Sequence, residues 1–277
     1  MPSAAEPARK LAGTARTTAS LRARRCIRGK APGRHTVARV SFIDEARAAF
    51  RGGETERVAR LAREELTRAE SAGDIPAEVD ALCMLARVAI RGNRLEEGSR
   101  QAERARTAAR RAGDPGLEQM PLHILAAAAR MSGDLPAARV LTEEAIAMHE
   151  SLGDGRMLAA EWHNLAHLEL NAGDIARARG LFTTAREQLA KLGDDSMLPE
   201  LALGIAALRT VDGEFARAAR ILGAVARALE TAGRVLDPDD AAEQEAIRAE
   251  LVKALGESGF EAEHRRGSSL GLAEALD

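Results

Sequence analysis

The sequence predicts an all-α fold: a right-handed α-solenoid, or superhelix, of five helix pairs closed by a helical C-terminal cap. Three observations carry that expectation. Glycines recur at a period of forty, at Gly73, Gly113, Gly153, Gly193 and Gly233, with Asp after the first four. A second turn series lies midway between them, at Gly53, Gly133, Gly173 and Gly213, with Gly92–Asn93 in the remaining place. Small and large apolar residues hold one register through the segments between, so two turns per period enclose two helices.

Composition agrees. The 277 residues are 45% hydrophobic but only 2% aromatic, with no Tyr and one Trp, which is poor material for sheets. A charged fraction of 30% suits helices with long solvated faces. Arg outnumbers Lys 36 to 4, which fits the codon bias of a GC-rich genome better than a phosphate-binding surface. The net charge of −2 hides an asymmetry, because residues 1–40 carry +9 and the remainder −11. An acidic body does not make a nucleic-acid groove, so nucleic-acid contact is expected only through the basic tail. Cys26 and Cys83 form no disulfide framework, and a reduced, cytoplasmic location is expected. No run of eighteen apolar residues occurs, so no membrane partner is expected.

Taken in order, residues 1–36 mix Ala, Arg, Ser, Thr, Gly and Pro with little periodicity and are expected to be a disordered, basic tail. The run LRARRCIRGK, residues 21–30, could instead be an arm for nucleic acid or anionic lipid, and a start codon further downstream would remove the segment altogether. Residues 37–233 hold the five pairs. Phe42, Leu82, Leu122, Trp162 and Ala202 share the large position of the first helix. Ala46, Ala86, Ala126, Ala166 and Ala206 share the small position four residues on, where helices cross closely. In the second helix, Val58, Gly98, Ala138, Ala178 and Ala218 form one row, and Glu65, Ala105, Ala145, Ala185 and Val225 another. Such a pair cannot bury its apolar face alone, so the pairs must stack. Residues 234–277 should form the cap. Pro238 is placed to start a helix to Leu255, with Asp239 and Asp240 in its first turn. Glu257–Ser258–Gly259 should break it, a short helix should follow near Phe260–Arg265, and Ser268 or Ser269 should cap a last one. This segment is expected to cover the open end of the solenoid.

Within the fourth pair, Trp162, Leu165, Ala166, Gly173, Ala178, Phe182 and Ala185 stand at the spacings of a tetratricopeptide repeat (TPR), which the chain therefore resembles. A period of forty and the lack of a closing proline match the longer variants of that repeat found in regulatory proteins. A second resemblance rests on Ile221–Leu222–Gly223, Pro238, Leu255–Gly256, Phe260, Arg266–Gly267 and Leu272–Ala273–Ala275–Leu276. It is to the C-terminus of large LuxR-type and SARP-type transcription activators with TPR sensor regions, and it covers about residues 41–277. Those regulators also carry a nucleotide-binding switch and a DNA-binding domain. Here Gly29–Lys30 is followed by Ala31 without the P-loop spacing, and no helix-turn-helix falls outside the repeats, so neither activity carries over. The resemblance implies the sensor and docking region alone, as an independent protein or a decayed fragment.

In repeats of this kind the first helices line a concave face. One position on them holds Cys83, His123 and His163, between Ile43 and Leu203. The expected partner-binding residues are Arg87, Arg91, His123, Arg130, His163, Asn164, His167 and Asn171, a mildly basic stripe suited to an acidic or polar peptide segment. Plain solvation of an inner face is the competing reading. His163 and His167 share a face at i, i+4, but the glutamate of H-E-x-x-H is absent, and no metal or cofactor is expected. Trp162 is expected in the core, and Glu143–Glu144 and Asp194–Asp195 on solvated surfaces rather than opposed across a cleft. No nucleophile stands beside a base, so an enzyme is not expected. The function expected is non-catalytic: a TPR scaffold that binds a protein or peptide in a transcription-regulatory setting. The alternative is a small DNA-associated regulator that uses the basic tail, with the solenoid as a dimerisation module.

Overall fold

The computed structural model describes residues 34–276, with side chains from Phe42 onward, and all regular structure in that range is helical. The tail expected at its start, with LRARRCIRGK and Cys26, lies outside the described residues up to residue 33, and the first helix begins at Arg34. Ten α-helices make up the repeat region: α1 Arg34–Arg51, α2 Thr55–Ala72, α3 Ile75–Arg91, α4 Leu95–Ala112, α5 Gln119–Met131, α6 Leu135–Leu152, α7 Gly155–Asn171, α8 Ile175–Leu192, α9 Leu198–Val211 and α10 Phe215–Ala232. Three more follow: α11 Pro238–Leu255, α12 Glu257–Gly267 and α13 Leu272–Leu276.

The turns explain the glycine periods. Each even-numbered helix from α2 to α10 stops on a left-handed glycine, with φ between 59° and 69°. After four of these five, the next residue reaches back to satisfy an orphan carbonyl, as Asp74 does to Ala69 at 2.9 Å and Asp154 to His149 at 3.0 Å. The same aspartates cap the helix that follows: Asp74 accepts from the Ala77 N–H and Asp154 from the Met157 N–H. At the turn inside each pair the left-handed residue is Gly53, Gly133, Gly173 or Gly213. Asn93 (φ 57°) takes that place in the second pair and is the one non-glycine with positive φ among the described residues.

Consecutive helices pack against one another from α1 to α10, and direct contacts also join α1 to α3, α3 to α5 and α7 to α9. The alanines of the small position are buried in every first helix of a pair. Ala46, Ala86, Ala126, Ala166 and Ala206 are all at most 3% exposed. Trp162 is half-buried, resting on Ala159, Ala185, Leu189 and Leu201.

The last three helices share one core with α9 and α10, built on Leu203, Ile221, Leu222, Val225, Leu236, Ile247, Leu251, Phe260 and Leu276. Each large side chain there is worth about 1.5–3 kcal/mol when fully buried. Helix α11 runs from Pro238 to Leu255, but the break after it is Gly256 (φ 71°), and α12 passes straight through Glu257–Ser258–Gly259. The left-handed carbon at Gly256 already ends α11, and a helical glycine costs only about 1 kcal/mol, so Gly259 breaks nothing.

Candidate functional site

After Gly233 the chain does not simply cover the end of the helix array. Residues 234–243 return across the odd-numbered helices. Arg234 anchors this segment on α9, donating to Glu200 Oε1 at 2.7 Å and to the Ser196 carbonyl at 2.8 Å. The Val235 N–H donates to the Arg51 carbonyl at 2.8 Å, so the end of α1 meets the chain that leaves α10. Leu236 is buried in the C-terminal core.

Four carboxylates follow, and they meet basic or imidazole groups on α3, α5 and α7. Asp237 accepts from Arg87 Nη2 at 2.8 Å and from Arg91 Nη2 at 3.2 Å, both on α3. Those two guanidinium groups lie over the Phe50 ring, 4.2 and 3.6 Å from its centroid, in cation–π geometry. Asp239 pairs with Arg130 on α5, with both side chains at most 14% exposed. Burial opposes the Asp239 charge, but Arg130 outweighs it and holds the carboxyl below its ordinary range. Asp240 Oδ1 lies 3.4 Å from His163 Nε2, and Glu243 Oε1 lies 3.3 Å from His167 Nδ1, both on α7. Residues 235–243 therefore form an acidic strap seated on a basic stripe.

The strap gives up a local interaction to do this. The aspartates before α3, α6, α7 and α8, namely Asp74, Asp134, Asp154 and Asp174, all cap their helices through the side chain. Asp237 precedes α11 in the same N-cap position and makes no such bond, because its carboxylate is turned to Arg87 and Arg91. A lost cap costs about 0.5–2 kcal/mol. At the start of α11 the ion pairs with Arg87 and Arg91 thus stand in place of a side-chain cap.

A second polar cluster lies beneath. Glu161 is fully buried, its Oε1 2.6 Å from His123 Nδ1 on α5 and 3.8 Å from His149 Nε2 on α6. Asn164 donates to its other oxygen at 3.4 Å. Burial penalises the Glu161 charge, yet the His123 charge and hydrogen bond win and hold it at about 2. For His123 burial works against the imidazolium, and Glu161 overcomes that to raise its pKa. His167, packed edge-on against His163 and Phe182, has its pKa lowered, chiefly by burial.

Of the expected partner-binding residues, Arg87, Arg91, Arg130, His163 and His167 come together under the strap. His123 and Asn164 turn instead to Glu161, and Asn171 is exposed at the end of α7. Cys83 is buried among apolar side chains, and burial pushes its thiol well above the ordinary range. Sequence reasoning missed Phe50, His149, Glu161 and the strap carboxylates as parts of this site. The signal was there in one case: an Asp-Pro-Asp-Asp run is more acidic than a helix start needs. Among the described residues, no group of three or more His, Cys, Asp or Glu could hold a metal ion, and no helix is long and apolar enough to cross a membrane.

No family model matches the sequence, and no curated protein does. Among solved structures, BtubC (BKLC) from P. vanneervenii is similar, with a TM-score of 0.52 and 20% sequence identity over 79% of this chain and 89% of that one. At that identity the likeness concerns the all-helical fold alone.

Proposed function

We propose that this chain is a non-catalytic docking scaffold: a TPR-like right-handed solenoid that binds a peptide segment of a partner protein along its odd-numbered helices, in a transcription-regulatory setting. The observation that carries this reading is the stripe of Arg87, Arg91, Arg130, His163 and His167, which is already paired with an acidic segment. A helix-repeat surface engaging a short segment through charge pairs and a buried apolar anchor is a common recognition mode. The regulatory setting rests on the resemblance of about residues 41–277 to the sensor regions of transcription activators.

The test uses the chain with its strap carboxylates neutralised, titrated with acidic, neutral and basic synthetic peptides of equal length. Binding that favours the acidic peptides and weakens with salt supports the reading. Equal binding of all three, or none in a folded protein, contradicts it.

A further inference from the structure

The strap is chemically a ligand that the chain carries for its own groove. Its carboxylates stand at residues 237, 239, 240 and 243, a spacing that meets Arg87 and Arg91, then Arg130, then His163, then His167. Its apolar anchor, Leu236, is buried, and its backbone is fixed to the Arg51 carbonyl through Val235 and to Arg91 through the Leu236 carbonyl at 3.4 Å.

Two features set the charged part of this hold, Asp237–Glu243, apart from the C-terminal core that contains Leu236. Asp237 makes no side-chain cap to α11, whose first turn keeps Pro238 and the acidic Asp239 and Asp240 as its local support. The residues that bind α11 to the C-terminal core, Ile247 and Leu251, come one to two turns after Glu243. Asp237–Glu243 can therefore leave the stripe by opening the first turns of α11, while Leu236, Ile247, Leu251 and Phe260 stay packed. Local opening of this kind at a helix end needs far less free energy than global unfolding.

We propose that residues Asp237–Glu243 are an intramolecular competitor for the docking surface, and that the partner carries an acidic segment that copies the spacing of the strap's carboxylates. This rests on the docking reading given above and names its partner class and its regulation. Partner binding then requires strap release, and apparent affinity falls by the fraction of time the stripe is free. Charge supplies selectivity, since a neutral or basic segment would leave Arg130, almost fully buried, without a counter-charge.

The experiment titrates a fluorescein-labelled peptide with the sequence of residues 234–246 into the full chain and into the variant Asp237→Asn/Asp239→Asn/Asp240→Asn/Glu243→Gln. The variant should bind the peptide at least tenfold more tightly than the unmodified chain, and adding Arg87→Ala and Arg91→Ala should remove that gain. Equal and measurable affinity in both proteins would overturn the competitor role while leaving the docking reading in place. No binding to a variant that keeps its helical circular dichroism would overturn both. Should the fourfold variant unfold, Asp237→Asn/Glu243→Gln keeps the Arg130–Asp239 pair. A threefold or greater gain is expected of it, and no gain overturns the proposal.

Discussion

Gly223 on α10 and Gly267 on α12 meet where the two helices cross. A Cβ at Gly223 would stand 2.0 Å from the His264 carbonyl oxygen, and one at Gly267 would stand 1.9 Å from the Arg220 carbonyl oxygen. Both obstacles are backbone, which cannot swing aside as a side chain can. The close approach seats α12 on α10 and so fixes Phe260 in the core that also holds α11. Gly223→Ala or Gly267→Ala should lower the free energy of unfolding in urea by about 1–3 kcal/mol. Gly180→Ala is the control, because it sits inside α8 with nothing within 4 Å of its would-be Cβ. That change should stabilise by about 0.5–1 kcal/mol through helix propensity.

The turn at Asn93 offers a second test. Its φ of 57° is one that Asn and Gly adopt readily and Ala does not. Asn93→Gly should leave the urea midpoint nearly unchanged, whereas Asn93→Ala should cost about 1–2 kcal/mol. Equal midpoints for the two variants would show that the left-handed turn is not what the position requires.

The Glu161 cluster predicts a pH dependence with two limbs. Glu161 has a folded pKa of about 2 against an ordinary 4.5, so its contribution of about 3 kcal/mol is complete above 4.5 and lost as pH falls through 2. His123 has its pKa raised above 6.5, so its contribution is complete below 6.5 and lost as pH rises through the folded value. The pair is most stabilising between about pH 4.5 and 6.5. Stability should therefore fall on the alkaline side of this window as well as the acid side. In Glu161→Gln the alkaline limb should flatten, which urea titrations at pH 6 and pH 9 would measure.

The helix array was legible because repetition multiplies weak signals. One glycine before an aspartate means little, but Gly73, Gly113, Gly153 and Gly193 at one period required left-handed helix ends, and the alanine row required close crossings. The stripe was half legible. Arg87, Arg91, Arg130, His163 and His167 were placed on one side by helical spacing alone. What covers them was not, because the pairing of Asp237 with Arg87 spans 150 residues and depends on where Gly233 sends the chain. Glu161 was missed for a related reason. Its partners His123 and His149 belong to other helices, and no local pattern marks a buried carboxylate whose counter-charge is supplied from a distance.

Arg130 and Asp239 give a prediction on buried charge. Arg130→Ala leaves Asp239 among low-dielectric surroundings without its cation, and removing one partner of such a pair costs about 3–5 kcal/mol. Adding Asp239→Asn to Arg130→Ala should recover part of that loss. The urea midpoints of the two single variants and the double variant would measure the coupling, and additive effects would mean that the two side chains do not hold each other.

The arginines of α3 hold the acidic strap on the odd-numbered helices, and amide hydrogen exchange tests this most directly. The Ala241 N–H, bonded to the Asp237 carbonyl at 2.9 Å, reports the first turn of α11. In Arg87→Ala/Arg91→Ala, exchange at Ala241–Glu243 should quicken at least tenfold while the amides of α12 keep their protection. Unchanged exchange at Ala241–Glu243 in that variant would mean that Arg87 and Arg91 do not hold the strap.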